Sequence, residues 1–185
     1  MKKKYLFFRI VLLGLSIGCF ILAGVVSYIK LAYPFAYSKE VFYYSDEYNL
    51  DPSLVFSIIN EESGFNTLSV SKSGAIGLMQ IMPKTGEFVA DKLGLDYDDS
   101  SVLFNPDVNI QIGCYYLRYL FNKYNDLNKV LFSYNAGEGV MQELYNGEDI
   151  KIVESIEITE TKNYIKRVTK TRNAYNKLIS FSNSL

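Results

Sequence analysis

Val55-Phe56-Ser57-Ile58-Ile59-Asn60-Glu61-Glu62-Ser63-Gly64-Phe65-Asn66 is the stretch on which the reading of this 185-residue chain turns. Just upstream, Asp51-Pro52 supplies a helix N-cap followed by proline at the first helical position, where its missing N–H costs nothing. In the helix so opened, Val55, Ile58, Ile59 and Glu62 stand at i, i+3, i+4 and i+7, so the Glu62 carboxylate shares the apolar face. Glu61, one residue earlier, points about 100° to the side. Burial disfavours the charged form of a carboxyl group and raises its pKa, which makes Glu62 a candidate proton donor near neutral pH. The same position, beside Ser63 and Gly64, also suits an ordinary helix-end carboxylate reaching into solvent. Position alone leaves both readings open.

Outward from this helix the pattern stays helical. Asn105-Pro106 repeats the cap-and-proline device and opens a helix expected to run to about Tyr124, with Ile110, Cys114, Leu117 and Phe121 as its apolar stripe. Leu127, Val130, Leu131 and Tyr134 form a further stripe, and Tyr164, Val168 and Tyr175 fit a last helix beginning near Thr159. The segment from Asp149 to Ile158 is the one expected extended piece. From about Ser38 onward the chain reads as a single, mainly α domain without repeats.

Composition narrows the chemistry. The chain has no histidine, which removes the usual general base, the usual metal ligand and every Ser-His or Cys-His nucleophile pair. Cys19 and Cys114 lack C-x-x-C spacing, so neither a zinc site nor a disulfide framework is supported, and Cys114 reads as a buried apolar residue. No metal and no cofactor is expected. Lys2, Lys3, Lys4 and Arg9 precede an uncharged run from Ile10 to Ile29, the length of a bilayer core. This reads as a retained membrane anchor, with residues 1–9 cytoplasmic by the positive-inside rule, residues 30–37 a linker, and residues 38–185 a domain on the wall side of the cell membrane. The first thirty residues take five of the 19 basic side chains and none of the 20 acidic ones, so the outer part carries 14 against 20, about −6. A domain so charged has no basic stripe for phosphates, and nucleic acid is excluded as a partner.

Four motifs stand in order around Glu62: Glu62-Ser63-Gly64-Phe65-Asn66, then the run from Gly74 through Gly77-Leu78-Met79-Gln80 to Thr85, then Tyr134-Asn135-Ala136-Gly137, then Glu160-Thr161-Lys162-Asn163-Tyr164. Together with Asn105-Pro106, Asn109-Ile110 and Gly113, they resemble the catalytic domain of the soluble-lytic-transglycosylase (SLT) family over roughly Tyr48 to Tyr175. The resemblance implies a lysozyme-like fold related to goose-type lysozyme, and a bacterial enzyme that cleaves peptidoglycan glycan strands between N-acetylmuramic acid and N-acetylglucosamine. It implies no water in the reaction: the C6 hydroxyl of the muramic residue attacks its own anomeric carbon and closes a 1,6-anhydro ring.

By that resemblance Glu62 is the single catalytic residue, acid first and base second, and Ser63 begins the turn out of its helix. Gly77, Leu78, Met79 and Gln80 form a substrate-groove segment: glycine lets the backbone approach the sugar, Met79 offers a soft apolar surface and Gln80 an amide. Tyr134 lies on an apolar face, so its hydroxyl needs a polar partner, which the resemblance names as Glu62. Asn135 would position a 2-acetamido group or simply end its helix. Tyr164 would line the same cleft. Glu160 is either a groove carboxylate or a first-turn charge on the helix dipole. Glu157 stands where the family commonly has proline, which makes the loop before Glu160 a departure. Two other readings remain at this point: a lysozyme-type hydrolase on the same fold, and a non-catalytic peptidoglycan-binding module within a cell-envelope complex.

Overall fold

Asp51 caps its helix in the computed structural model, which describes residues 2–145, 156–182 and 184: the Asp51 carboxylate accepts hydrogen bonds from Ser53 N at 2.9 Å and Ser53 Oγ at 2.7 Å. The resulting helix runs Pro52–Ser63 and ends at Gly64, which takes the left-handed conformation (φ 57°) that closes a helix at low cost. In chain order the helices are α1 (Lys2–Ala32), α2 (Ser38–Glu47), α3 (Pro52–Ser63), α4 (Pro83–Leu93), a 3-10 turn (Ser100–Phe104), α5 (Pro106–Tyr124), α6 (Leu127–Ala136), α7 (Glu138–Tyr145) and α8 (Ile156–Ser182). The described residues form no named strand; isolated antiparallel bridges join Val70 to Ile76 and Ile76 to Ile81 in the loop between α3 and α4.

The chain divides into two units, Met1–Phe35 and Ala36–Leu185. Within the first, Leu12–Ala32 of α1 is long and apolar enough to cross a membrane, and side chains such as Phe20 and Leu13 stand exposed. The second unit is built around α3, whose residues Ser53 to Ile59 are all buried. The helix is surrounded because α8 packs across it, α2 lies alongside, and Phe56 stacks on Tyr175 of α8 at 5.2 Å between ring centroids. Leu54, Val55, Ile58 and Ile59 join Ile110, Leu117 and Leu120 of α5 and Val130 and Leu131 of α6 in the core. Each such side chain contributes about 1.5–3 kcal/mol on burial, so the one carboxylate pointing out of α3's apolar face is held there by many favourable contacts. Cys114 is buried among them.

Two sequence expectations are corrected. The last helix begins at Ile156 rather than near Thr159, so Ile156 to Ile158 are helical and not extended. The remainder of the expected extended piece, residues 149–155, lies outside the described residues. Glu160 consequently falls in the second turn of α8, beyond the first-turn position where a helix dipole acts most strongly.

Candidate functional site

Glu62 occupies the last turn of α3, part-buried, and desolvation pushes its carboxyl up to about 7. The neighbouring charge of Glu61 adds to the rise; an interaction with the Tyr164 hydroxyl and the charge of Arg167 oppose it. Tyr164 is 2% exposed, and its hydroxyl has no hydrogen-bond partner of full geometry among the described residues. It therefore stands close enough to favour the Glu62 anion without being committed to it. Burial and the Glu62 charge together push the phenols of Tyr164 and Tyr134 well above their ordinary range, so both are neutral donors.

The second tyrosine corrects an expectation. Tyr134 Oη donates to the carbonyl of Met79 at 2.8 Å, not to Glu62, because the loop between α3 and α4 brings that carbonyl directly against α6. The loop is held at three further points. Ser63 Oγ donates to the Leu78 carbonyl at 2.8 Å, tying the end of the Glu62 helix to it. Asn109 Oδ1 accepts from Met79 N at 2.8 Å, while Asn109 Nδ2 donates to the carbonyls of Ile76 at 2.9 Å and Leu103 at 2.8 Å. Gln80, at φ 49°, donates from Nε2 to the Gly77 carbonyl at 2.8 Å and the Ser69 carbonyl at 3.2 Å. Gly77 is required twice over: its φ is +79°, and a Cβ there would stand 2.3 Å from Asn109 Nδ2 and 2.4 Å from the Leu103 oxygen.

Leu78 and Met79 are corrected as well. Both side chains are 0% exposed, and Met79 Sδ fills the space over Gly113, where a Cβ would lie 2.3 Å away. Their side chains belong to the core, and what they give the site is backbone: two carbonyls and one N–H that fix the loop.

Two hollows run beside this loop. One, of about 310 Å³, is lined by Gln80, Ile81, Thr85, Tyr116, Tyr134 and Asn135 among others; the second, of about 380 Å³, is lined by Val140, Glu160 and Thr161 with Ser73, Asn135 and Ala136, and those last three border both. The two hollows adjoin at Ser73, Asn135 and Ala136 and make a groove. Asn135 is exposed at its centre and accepts a hydrogen bond from Thr161 Oγ1 at 3.0 Å, which joins α6 to α8. Its helix ends one residue later, at Ala136, as the helix-end reading expects. Glu160 is exposed along the groove wall. Glu62 lines neither hollow; Tyr134, which lines the first, is near enough for the Glu62 charge to raise its phenol.

Sequence reasoning missed how Glu61 is used. Its Oε2 accepts from Arg167 Nε at 3.0 Å and its Oε1 from Thr171 Oγ1 at 2.8 Å, both on α8. Asn109 carried the signal that found Glu62: a polar side chain among Ile110, Ile112 and Gly113 on a buried face. Thr161 and Thr171 offered none, being polar residues in a helix whose partners come from far along the chain. Among the described residues no cluster of three or more His, Cys, Asp or Glu forms a metal site.

By class, this is a helical domain in which burial pushes one carboxyl group at the end of α3 up to about 7, with a groove along the neighbouring loop. Residues 40–151 match the transglycosylase SLT domain model, and the chain belongs to that family. It is 33% identical over 162 residues to the soluble lytic murein transglycosylase of Salmonella typhimurium, covering 83% of this chain and 25% of that protein. To the membrane-bound lytic murein transglycosylase C of Actinobacillus pleuropneumoniae it is 30% identical over 154 residues, 69% of this chain and 42% of that one. The crystal structure of the 70 kDa soluble lytic transglycosylase of Escherichia coli superposes with a TM-score of 0.72 at 30% identity, over 89% of this chain and 28% of that one. The chain thus spans less than half the length of these relatives. The fold is the lysozyme-like helical one expected.

Proposed function

We propose that this protein is a membrane-anchored lytic transglycosylase that cleaves the β-1,4 bond between N-acetylmuramic acid and N-acetylglucosamine in peptidoglycan, with Glu62 as acid and then base. The observation that carries this reading is the state of Glu62 against that of Glu61. Glu62 titrates near 7, where a carboxyl group gives and takes a proton with similar ease. Glu61 is the one other carboxylate whose charge bears on it among the described residues, and both its oxygens are taken by α8. A retaining lysozyme needs a second free carboxylate as nucleophile, and an inverting one needs it to activate water. With Glu61 engaged by α8 and Glu160 absent from the charges that bear on Glu62, an intramolecular nucleophile is the economical alternative.

In the proposed cycle Glu62 protonates the glycosidic oxygen as the bond to C1 of the muramic residue breaks. The C6 hydroxyl of the same sugar bonds to C1 and returns its proton to Glu62, leaving a 1,6-anhydro end, a free 4-hydroxyl on the departing sugar and the enzyme as it began. Holding nucleophile and electrophile in one ring gives the high effective molarity that replaces a second catalytic group. Gln80, Asn135 and Glu160, which line the hollows, are proposed to orient the strand, while buried Tyr164 acts on Glu62 and Gly77 holds the loop against Asn109. The Leu12–Ala32 segment is proposed to span the cell membrane with its N-terminus in the cytoplasm, holding the domain to nearby wall; membrane-bound relatives support this. The test is mass spectrometry of muropeptides released from peptidoglycan by the full chain and by Glu62→Gln. Products ending in 1,6-anhydro-N-acetylmuramic acid, absent with the variant, support the proposal; reducing-end products identify a hydrolase, and no release by the intact chain leaves a binding module.

A further inference from the structure

The buried stripe of α8 consists of Thr161, Tyr164, Val168, Thr171 and Tyr175, and three of its polar members face polar groups of other helices. Thr161 meets Asn135 in the groove, Tyr164 faces Glu62, and Thr171 meets Glu61. Arg167 stands one turn after Tyr164, and its guanidinium takes the second oxygen of Glu61. A further ion pair, Arg172 to Asp51 at 2.7 Å, fixes α8 to the opposite end of α3. The carboxylate next to Glu62 is thus neutralised by the helix that also carries the tyrosine facing Glu62.

We infer that Glu61, Arg167 and Thr171 form a latch through which α8 sets the charge environment of Glu62, making Glu61 and Arg167 positioning residues for the proposed acid. The inference rests on the assignment of Glu62 above. The groups that bear on Glu62 are Glu61 on its own helix, Tyr164 and Arg167 on α8 and Tyr134 on α6; among the described residues no charged group of α2 does. The two ends of the Glu61–Arg167 pair act on Glu62 in opposite senses. The Glu61 anion opposes a second anion beside it, and the Arg167 cation favours one. An ion pair that served only to hold two helices together would have no such sign, since breaking it from either side loosens the same contact.

The test titrates the Glu62 carboxyl by NMR in full-length chain carrying 13C-labelled glutamate in detergent micelles, its resonance identified by its loss in Glu62→Gln. Glu61→Gln keeps an oxygen for Thr171 but removes the anion, and the midpoint is expected to fall by about half a pH unit or more. Arg167→Gln is expected to raise it by a similar amount, and Arg167→Lys to restore it. Arg167 is 53% exposed at its side chain, so its two variants decide the matter even where the Glu61 variant folds poorly. Midpoints that stay together, or move in the same direction, overturn the latch. The pH–rate profile on peptidoglycan, recorded in parallel, separates the two claims: opposite midpoints with unmoved limbs leave the latch standing and remove Glu62 as the acid. A latch overturned while Glu62→Gln is inactive leaves the acid standing without it.

Discussion

A carboxyl group that titrates near 7 when folded and at 4.5 when free binds its proton more tightly in the folded state. The stability it gives is therefore complete below about pH 4.5 and is lost as pH rises through 7. Above that, the folded protein holds a poorly solvated anion. Replacing Glu62 with Gln removes this penalty and keeps the shape. The variant is expected to be more stable than the wild type at pH 8 by about 3 kcal/mol, the difference vanishing by pH 4. Thermal melts at the two values measure it. Activity moves the other way, with loss of the proposed acid lowering kcat by about 10²–10⁴-fold. A residue that costs stability and supplies activity is what separates a functional carboxylate from a solvated helix end. Tyr164 offers a milder version. Its hydroxyl favours the Glu62 anion, so Tyr164→Phe is expected to shift the pH–rate profile upward, as seen in rates measured between pH 5 and 8.

The loop between α3 and α4 depends on one side chain of α5 more than on any residue of its own. Asn109 is 0% exposed and satisfies Met79 N, the Ile76 carbonyl and the Leu103 carbonyl at once. Asn109→Leu fills the same space, leaves Met79 N without its partner and takes a donor from the Ile76 and Leu103 carbonyls, of which Ile76 keeps the Ile81 N–H at 3.0 Å; each buried group left unpaired costs about 1–3 kcal/mol. Urea denaturation is expected to show a loss of about 3 kcal/mol or more, with activity failing even where the fold survives. Much of this element-scale logic was legible beforehand. Asp51-Pro52 and Asn105-Pro106 mark helix starts because capping is local chemistry, and both helices begin there. What was not legible is pairing across distance. Tyr134 takes the Met79 carbonyl, 55 residues away, and Glu61 takes Thr171, 110 residues away. Periodicity says that a buried hydroxyl needs a partner without saying which of two nearby acceptors the packing will present. The side chains of Leu78 and Met79 were misplaced for a related reason. A glycine-rich loop looks exposed in sequence, and only the depth of Gly113 reveals room for a methionine beneath it.

At the scale of the whole chain, a membrane-compatible helix and an SLT domain are two separate units, and their physics can be tested separately. The domain has its own core and caps. The apolar side chains of α1 stand exposed and are suited to lipid as solvent. Charge placed there should therefore act on location without touching chemistry. Introducing aspartate at both Leu15 and Ile21 costs about 2.5–3.5 kcal/mol per residue for insertion at the bilayer centre, enough to prevent stable spanning. The doubly substituted chain is expected to leave the pelleted membrane fraction, yet to release anhydro-muropeptides from solubilised glycan strands at a rate within about twofold of the parent in detergent. If it loses activity on soluble strands as well, the anchor does more than hold the domain near its substrate. If it stays with the membranes, some surface of Ala36–Leu185 binds them, and α1 is not what keeps the protein at the wall.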